Sequence, residues 1–300
     1  MENEPATLSI ISVVKNDLEG LRRTSISVRK QAGVKICHII VDGGSQDGSQ
    51  LFAAEVSDVS IPSFDDGGIY PGMQRGANVV NTKYLMFLNS SDELIGTEML
   101  AGVIELLERQ DAEWGFGPII EQTARGTRIL TSAEGPEDLE SIAWRRTFVP
   151  FPTTVMRKAL FDAIGGFSYD FRIAGDFDLI VRAAKMAKPL HWSTPYVLFQ
   201  AGGISYTAAP SSWLEEHRIR MTTLDMTVFG KMRSRIRVLL RIAKWSLGKT
   251  MDFIQNTGAF GKIHWRDRKG TLAPSWIVQQ IDSNERTNQQ PDRGISSQDI

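Results

Sequence analysis

Three apolar runs of strand length, each stopping abruptly at a polar cluster, constrain this 300-residue chain more than any other feature. Leu8–Val14 (LSIISVV) ends at Asn16-Asp17, Ile36–Val41 (ICHIIV) at Asp42-Gly43-Gly44, and Tyr84–Leu88 (YLMFL) at Asn89 to Glu93. Helical patterns separate them. One carries Leu21, Ile26 and Val28, and others cover Ser49–Val56, Met73–Val80 and Thr97–Arg109. In the last of these, Leu100, Val103, Ile104 and Leu107 recur at helical spacing, and Thr97 can cap it. Strands alternating with helices imply βαβ units and a mainly parallel sheet. Such sheets bind ligands at the carboxyl ends of their strands, where these polar clusters fall.

The second half is less regular. Trp114–Ile120 reads as a strand, Arg125–Arg128 as a turn or hairpin, and Phe151–Gly166 as an extended segment plus a short helix. Asp176–Ala187 reads as a helix with acids at its start and Arg182, Lys185 and Lys188 toward its end, which suits the helix dipole. His191–Phe199 looks extended and Trp213–Lys249 reads as one long helical stretch. After about Asp282 the composition turns polar, which predicts a disordered tail. The expected division is one α/β unit over 1–207, in two halves (about 1–110 and 111–207). A helical region over 208–265 and a mostly disordered tail over 266–300 follow.

Composition excludes several classes. Lys plus Arg total 34 against 35 for Asp plus Glu, so nothing points to nucleic acid as a partner. A single cysteine, Cys37, excludes an internal disulfide and a Cys-rich zinc site. Met1–Thr7 is acidic with no long apolar run, unlike a secretory signal. No stretch approaches the roughly 18 to 20 apolar residues of a membrane span. Gly-x-Gly-x-x-Gly is absent after the first strand, where Val14-Lys15-Asn16-Asp17 stands, which argues against an NAD enzyme. The lack of an early Gly-rich phosphate loop argues against nucleotidyl transfer.

Taken alone, Val41–Gly48 (VDGGSQDG) is either a solvent turn or a ligand loop whose glycines let backbone approach a nucleotide while Asp42 accepts a hydrogen bond. Asn89–Glu93 (NSSDE) puts the Asp92 carboxylate at the sheet edge. Such a carboxylate, with diphosphate oxygens, suits Mg²⁺ or Mn²⁺, although acids are also common in turns. Phe87, Phe167, His38 and His191 read as packing residues, while Trp114 and Trp144 stay open between packing and stacking on sugar rings.

In order and spacing, these segments resemble the family 2 inverting glycosyltransferases, which have the GT-A nucleotide-sugar fold. The likeness is strongest to the subgroup used in capsule, colanic-acid-type exopolysaccharide and O-antigen assembly. Members run Val-Asp-Gly-Gly-Ser-x-Asp-Gly, then Ser-Glu-x-Asp-x-Gly-Ile-Tyr-Asp-Ala-Met-Asn-Lys-Gly, then Phe-Leu-Asn-Ser-x-Asp. Ser63, Asp66, Gly68, Ile69, Tyr70, Met73 and Gly76 match the middle block. Gly165-Gly166-Phe167, Ile173–Arg182 (IAGDFDLIVR) and Phe199–Ser205 (FQAGGIS) match later ones. The resemblance implies an α/β GT-A fold, with a mainly parallel central sheet flanked by helices and a C-terminal helical extension.

It also implies roles. Asp176 maps to the catalytic base and Asp92 to the metal-ligand position for Mg²⁺ or Mn²⁺. Asn16, Asp42, Asp66, Tyr70, Asn89 and Ser91 map to the donor site, with Asp178 and Arg182 as supports that can pair across one helical turn. Three departures stand out. Ser91 replaces an acid often found beside Asp92. Pro71, Gly72 and Gln74 replace Asp, Ala and Asn. Phe151-Pro152 stands where many relatives carry His-Gln. The implied activity is transfer of a sugar from a nucleotide-sugar donor to a polysaccharide or lipid-linked glycan acceptor. The alternative is a catalytically silent sugar-nucleotide-binding or scaffold subunit. The implied location is cytoplasmic, with peripheral contact at the inner face of the membrane. The 231–249 segment would provide that contact. It holds Lys231, Arg233, Arg235, Arg237, Arg241, Lys244 and Lys249 without an acid, and Met232, Ile236, Leu239, Ala243 and Leu247 at helical spacing.

Overall fold

The computed structural model describes residues 6–62, 67–123, 126–130, 137–201, 209–256 and 271–272. The expected polar tail, Ser63, Asp66 and most of the Phe199–Ser205 block lie outside the described residues.

The three apolar runs form neighbouring parallel strands, β1 (Leu8–Val14), β2 (Ile36–Asp42) and β4 (Tyr84–Phe87). A short edge strand that the sequence pattern did not reveal, β3 (Val59–Pro62), pairs parallel to β2. It is only half-buried and ends in proline, which an edge position tolerates. The sheet continues through β9 (Val155–Arg157), antiparallel to both its neighbours, then β6 (Trp114–Phe116) and β10 (Leu190–His191), in the order β10-β6-β9-β4-β1-β2-β3. Strands β1 to β4 all point their carboxyl ends to one edge.

Period-2 alternation puts both faces of this sheet in a core. Leu8 and Ile10 pack with Tyr84, Met86 and α4 (Met99–Arg109), whose Leu100, Val103 and Leu107 are buried. Ile11, Leu85 and Phe87 face the other way, toward α3 (Ile69–Asn78) and α7 (Gly175–Met186). Helix α3 starts four residues before the sequence pattern indicated, because Pro71 falls in the first turn, where a missing N–H costs nothing. It lies close on the sheet: a Cβ at Gly76 would stand 2.4 Å from Ile11, and one at Gly72 3.2 Å from Val13. The amino end of α3 is therefore nearest the carboxyl edge of the parallel strands.

Two expectations are corrected. Trp114–Ile120 is not one strand. It breaks at Gly117-Pro118 into β6 and β7 (Ile119–Thr123), which belong to different sheets. Proline has no N–H for a ladder, and a Cβ at Gly117 would fall 2.0 Å from the Trp192 indole nitrogen. With β8 (Gly126–Leu130), β11 (Val197–Gln200), β5 (Glu93–Leu94) and β12 (Thr271–Leu272), β7 builds a second sheet, in which β11 runs antiparallel to β5. Nor is Trp213–Lys249 one helix. Helix α8 (Ala209–Thr223) and helix α9 (Val228–Asn256) are separated at Thr227, whose hydroxyl accepts from Gly230 N–H as an N-cap. The remaining helices among the described residues are α1 (Leu18–Arg29), α2 (Ser49–Val56), α5 (Leu139–Ala143) and α6 (Lys158–Ala163).

Candidate active site

At the carboxyl edge the loop after β2 is fastened to the end of β1. Asn16, with a left-handed φ of 53°, accepts the Gln46 N–H on Oδ1 and donates its own N–H to Ser45 Oγ. Asp47 accepts the Leu18 N–H. Asn16 thus shapes the loop while its amide NH₂ remains to donate. Asp42, 1% exposed, accepts the Gly44 and Ser45 N–H groups on Oδ2, but its Oδ1 is buried without a partner. An unsatisfied buried acceptor is costly and calls for a donor from water or from a bound group.

The turn after β4 holds the second group. Asp92 is 3% exposed, and its carboxylate receives one long bond, from Gln200 N–H at 3.3 Å. Burial pushes this carboxyl well above the ordinary aspartate value, and the charges of Glu93 and Asp17 add to the rise. Asn89 Oδ1 is also buried without a partner. Ser91, at a left-handed φ of 73°, donates to Asp17 Oδ2 at 2.8 Å and accepts from Arg23. Asp17 also caps α1 through Gly20 N–H. A Cβ at Gly20 would fall 2.1 Å from Asp17 Oδ2 and 2.2 Å from Ser91 Oγ, so only glycine admits this contact.

The third group centres on Asp176, half-buried in the first turn of α7. Its Oδ1 accepts from Phe177 N–H at 2.7 Å and faces the Tyr70 hydroxyl at 3.1 Å, and Tyr70 also reaches Ile173 O at 2.8 Å. Tyr70 comes from the amino end of α3, so these contacts tie Asp176 to the same sheet edge. Burial raises the Asp176 carboxyl from its ordinary value, while the nearby Arg145 charge, the Phe177 N–H and Tyr70 oppose the rise. Gly175 allows the approach, since a Cβ there would stand 2.7 Å from the Tyr70 ring.

The family model for glycosyl transferase family 2 matches residues 9–165, more than half of the chain. This chain belongs to that family. An uncharacterized glycosyltransferase of Mycobacterium tuberculosis is 32% identical over 214 residues, covering 69% of this chain and 79% of the relative. A PGL/p-HBAD biosynthesis glycosyltransferase of Mycobacterium bovis is 26% identical over 224 residues, covering 69% and 84%. Among solved structures, Staphylococcus aureus TarS 1–349 in complex with UDP-GlcNAc superposes with a TM-score of 0.59 at 15% identity, covering 78% of this chain and 71% of that one. The mannosyltransferase PcManGT of Pyrobaculum calidifontis, in complex with GDP-Man and Mn²⁺, gives 0.57 at 11% identity, covering 95% and 81%. Both share the GT-A fold with this glycosyltransferase.

The other implied residues take defined places. Arg182 pairs with Asp178 Oδ2 at 2.6 Å and donates to the Ile164 and Gly166 carbonyls. It thereby ties α7 to Gly165-Gly166, both left-handed at φ 80° and 64°. Trp114 is a packing residue whose indole N–H donates to Ala187 O. Trp144 is buried under the guanidiniums of Arg220 and Arg233. His191 pairs with Glu137 and packs on Phe116, and His38 bonds Ser12, with burial lowering its pKa to about 4.

Sequence reasoning missed Asp17, Arg145, Glu215 and Glu216. Glu215 accepts the backbone N–H groups of Arg172, Ile173 and Ala174, fixing the approach to Asp176 from α8. Glu216 lies within ion-pair range of Arg145, Arg220 and Arg241 at 3.3, 3.7 and 2.8 Å. Only the Glu216–Arg220 spacing could have been read from one helix.

Proposed function

We propose that this glycosyltransferase inverts the anomeric centre, transferring a sugar from a nucleotide-sugar donor to a polysaccharide or lipid-linked glycan acceptor with Asp176 as general base. The observation that carries the reading is the Asp176 carboxylate. Its bonds among the described residues fall on Oδ1, leaving Oδ2 to take a proton. Asp176 takes the proton of the acceptor hydroxyl as that oxygen attacks the anomeric carbon from the side opposite the diphosphate. One displacement inverts the centre, and no covalent sugar-enzyme intermediate forms. Asp42 Oδ1 receives a donor N–H or O–H from the nucleotide, and Asn16 and Ser45 hold the loop around it.

The residues at the β4 turn fit Mg²⁺ or Mn²⁺. Asp92 is buried with a single weak partner, and Asn89 Oδ1 has none. Among the described residues no three His, Cys, Asp or Glu side chains converge as a full ligand set. Asp92 would thus hold the ion together with donor phosphates and waters, the usual arrangement for Mg²⁺. A bound cation there would offset charge on the leaving nucleotide. Ser91 and Asp17 keep the turn in place.

A lipid-linked acceptor calls for work beside a bilayer, and α9 has a face for it. No helix among the described residues is long and apolar enough to cross a membrane. Ser234 and Val238 turn inward, while on the opposite face Phe229 is 78% exposed, Leu239 65% and Leu247 67%, along with Met232 and Ile236. Exposed Lys231, Arg233, Arg235 and Lys244 flank that stripe. An apolar stripe between cations suits the surface of an anionic bilayer.

A thermal-shift screen of UDP-, GDP- and dTDP-sugars with Mn²⁺ selects the donor. Asp176→Asn should then retain donor binding while transfer falls roughly 10²–10⁴-fold. Near-wild-type transfer in that variant overturns the base assignment.

A further inference from the structure

Arg145 breaks a local rule. It follows α5 with φ 54°, where its N–H donates to Ile142 O and the Arg146 and Thr147 N–H groups both return to Ser141 O. A helix end of this shape favours glycine or asparagine, and an arginine held there is strained. In this conformation the guanidinium carbon lies 4.1 Å from the centroid of the Phe177 ring, and Nε lies 3.3 Å from Glu216 Oε1, an ion pair without a hydrogen bond. Phe177 follows Asp176 directly, and its N–H is the shortest bond to that carboxylate.

Glu216 is anchored in turn. Arg241 of α9 donates to it at 2.8 Å, and Arg220, fully buried, donates to Ala143 O at the end of α5 and to Ser234 Oγ of α9. Burial pushes the Glu216 carboxyl up, but the three arginines outweigh that and hold it below its ordinary value. Groups acting on Asp176 are Tyr70 from α3, Arg145 from the end of α5 and Glu216 from α8, while Glu215 of α8 holds the backbone just before it and acts on Tyr70. Its own helix adds Asp178, neutralised by Arg182. Among these, burial and Glu216 favour the neutral acid, while Arg145 favours the carboxylate.

We propose that Arg145 is a positioning residue for the transfer reaction: its guanidinium, laid on Phe177 and paired with Glu216, holds the Asp176 carboxyl toward the acceptor hydroxyl and supplies positive charge on that side of it. The inference rests on Asp176 being the base. A base serves only in its charged form, and a cation stacked on the ring of the next residue opposes the effect of burial.

The test titrates Asp176 directly in the full chain by ¹³C NMR of carboxyl-labelled aspartate, with the resonance assigned by its loss in Asp176→Asn. Arg145→Gly removes the charge and relieves the backbone strain, so a folded protein is expected. If it does not fold, Arg145→Asn, which also tolerates positive φ, takes its place. The expected result is an Asp176 midpoint higher by about one pH unit or more, with Arg145→Lys recovering most of the difference. An unchanged midpoint in a folded Arg145→Gly or Arg145→Asn protein overturns the proposal, as does Arg145→Lys matching the uncharged variant. Failure of the base reading looks different: Asp176→Asn would keep transfer whatever the midpoint does.

Discussion

Replacing Asp92 by asparagine should make the ligand-free protein more stable and the ligand-bound protein less so. Asp92 is 3% exposed and carries one 3.3 Å bond, with Glu93 and Asp17 as like-charged neighbours. Asparagine keeps the acceptor for Gln200 N–H and removes a poorly paired buried charge, whose desolvation is worth about 1–3 kcal/mol. For a domain of this size that corresponds to a Tm rise of roughly 2–10 °C. The sign with pH follows from the raised carboxyl. The native state holds the Asp92 proton more tightly than the unfolded chain. Wild-type stability therefore falls as pH rises from about 4 toward the native value, by at most about 1.4 kcal/mol per pH unit. Asp92→Asn lacks that loss, so its advantage should vanish near pH 4 and be full above the native value. Scanning calorimetry from pH 4 to 8, without and with Mn²⁺ plus UDP or GDP, gives both halves. The wild type should gain about 2.7 kcal/mol at ligand concentrations a hundredfold above Kd, and the variant little. A variant that is less stable without ligand at pH 8, or equally stabilised by Mn²⁺ and nucleotide, refutes the reasoning.

Two other variants, one single and one fourfold, probe the Tyr70–Asp176 contact and the basic face of α9. Gly175→Ala places a methyl 2.7 Å from the Tyr70 ring, so Tyr70 must move away from Asp176. Transfer, read by release of the nucleotide from the donor, should fall at least tenfold. Changing Lys231, Arg233, Arg235 and Lys244 together to Gln should abolish flotation with vesicles rich in anionic lipid, since each basic residue near such a surface is worth about 1 kcal/mol. Flotation unaltered by that change would remove the electrostatic part of the reading.

The sheet edge was legible because period and punctuation report local physics. Three runs too short for helices and too apolar for loops had to be buried strands, and their shared direction gathered Asn16, Asp42, Asn89 and Asp92. The spacing of Asp178 and Arg182 predicted a pair one helical turn apart, and the pair forms. Where the reading failed, the deciding contact was non-local. Gly117-Pro118 is a local sign of a break, but which sheet each side joins is not local, because Trp192 fills the space beside Gly117.

The sequence by itself determined the alternation of strands and helices, the polar loops at one edge and the family. Hydrophobic period, turn residues and motif spacing are properties of neighbours along the chain. Only the tertiary structure decided how Asp176 is served. Tyr70 bonds it from 106 residues away, Glu215 of α8 holds the backbone N–H groups just before it, and Arg145, near Glu216, lies on the ring of the residue after it. It also decided that Asp17 bonds Ser91 beside Asp92, across 74 residues. Charge and hydrogen bonding act over a few ångströms of space, and the fold alone sets which residues come that close.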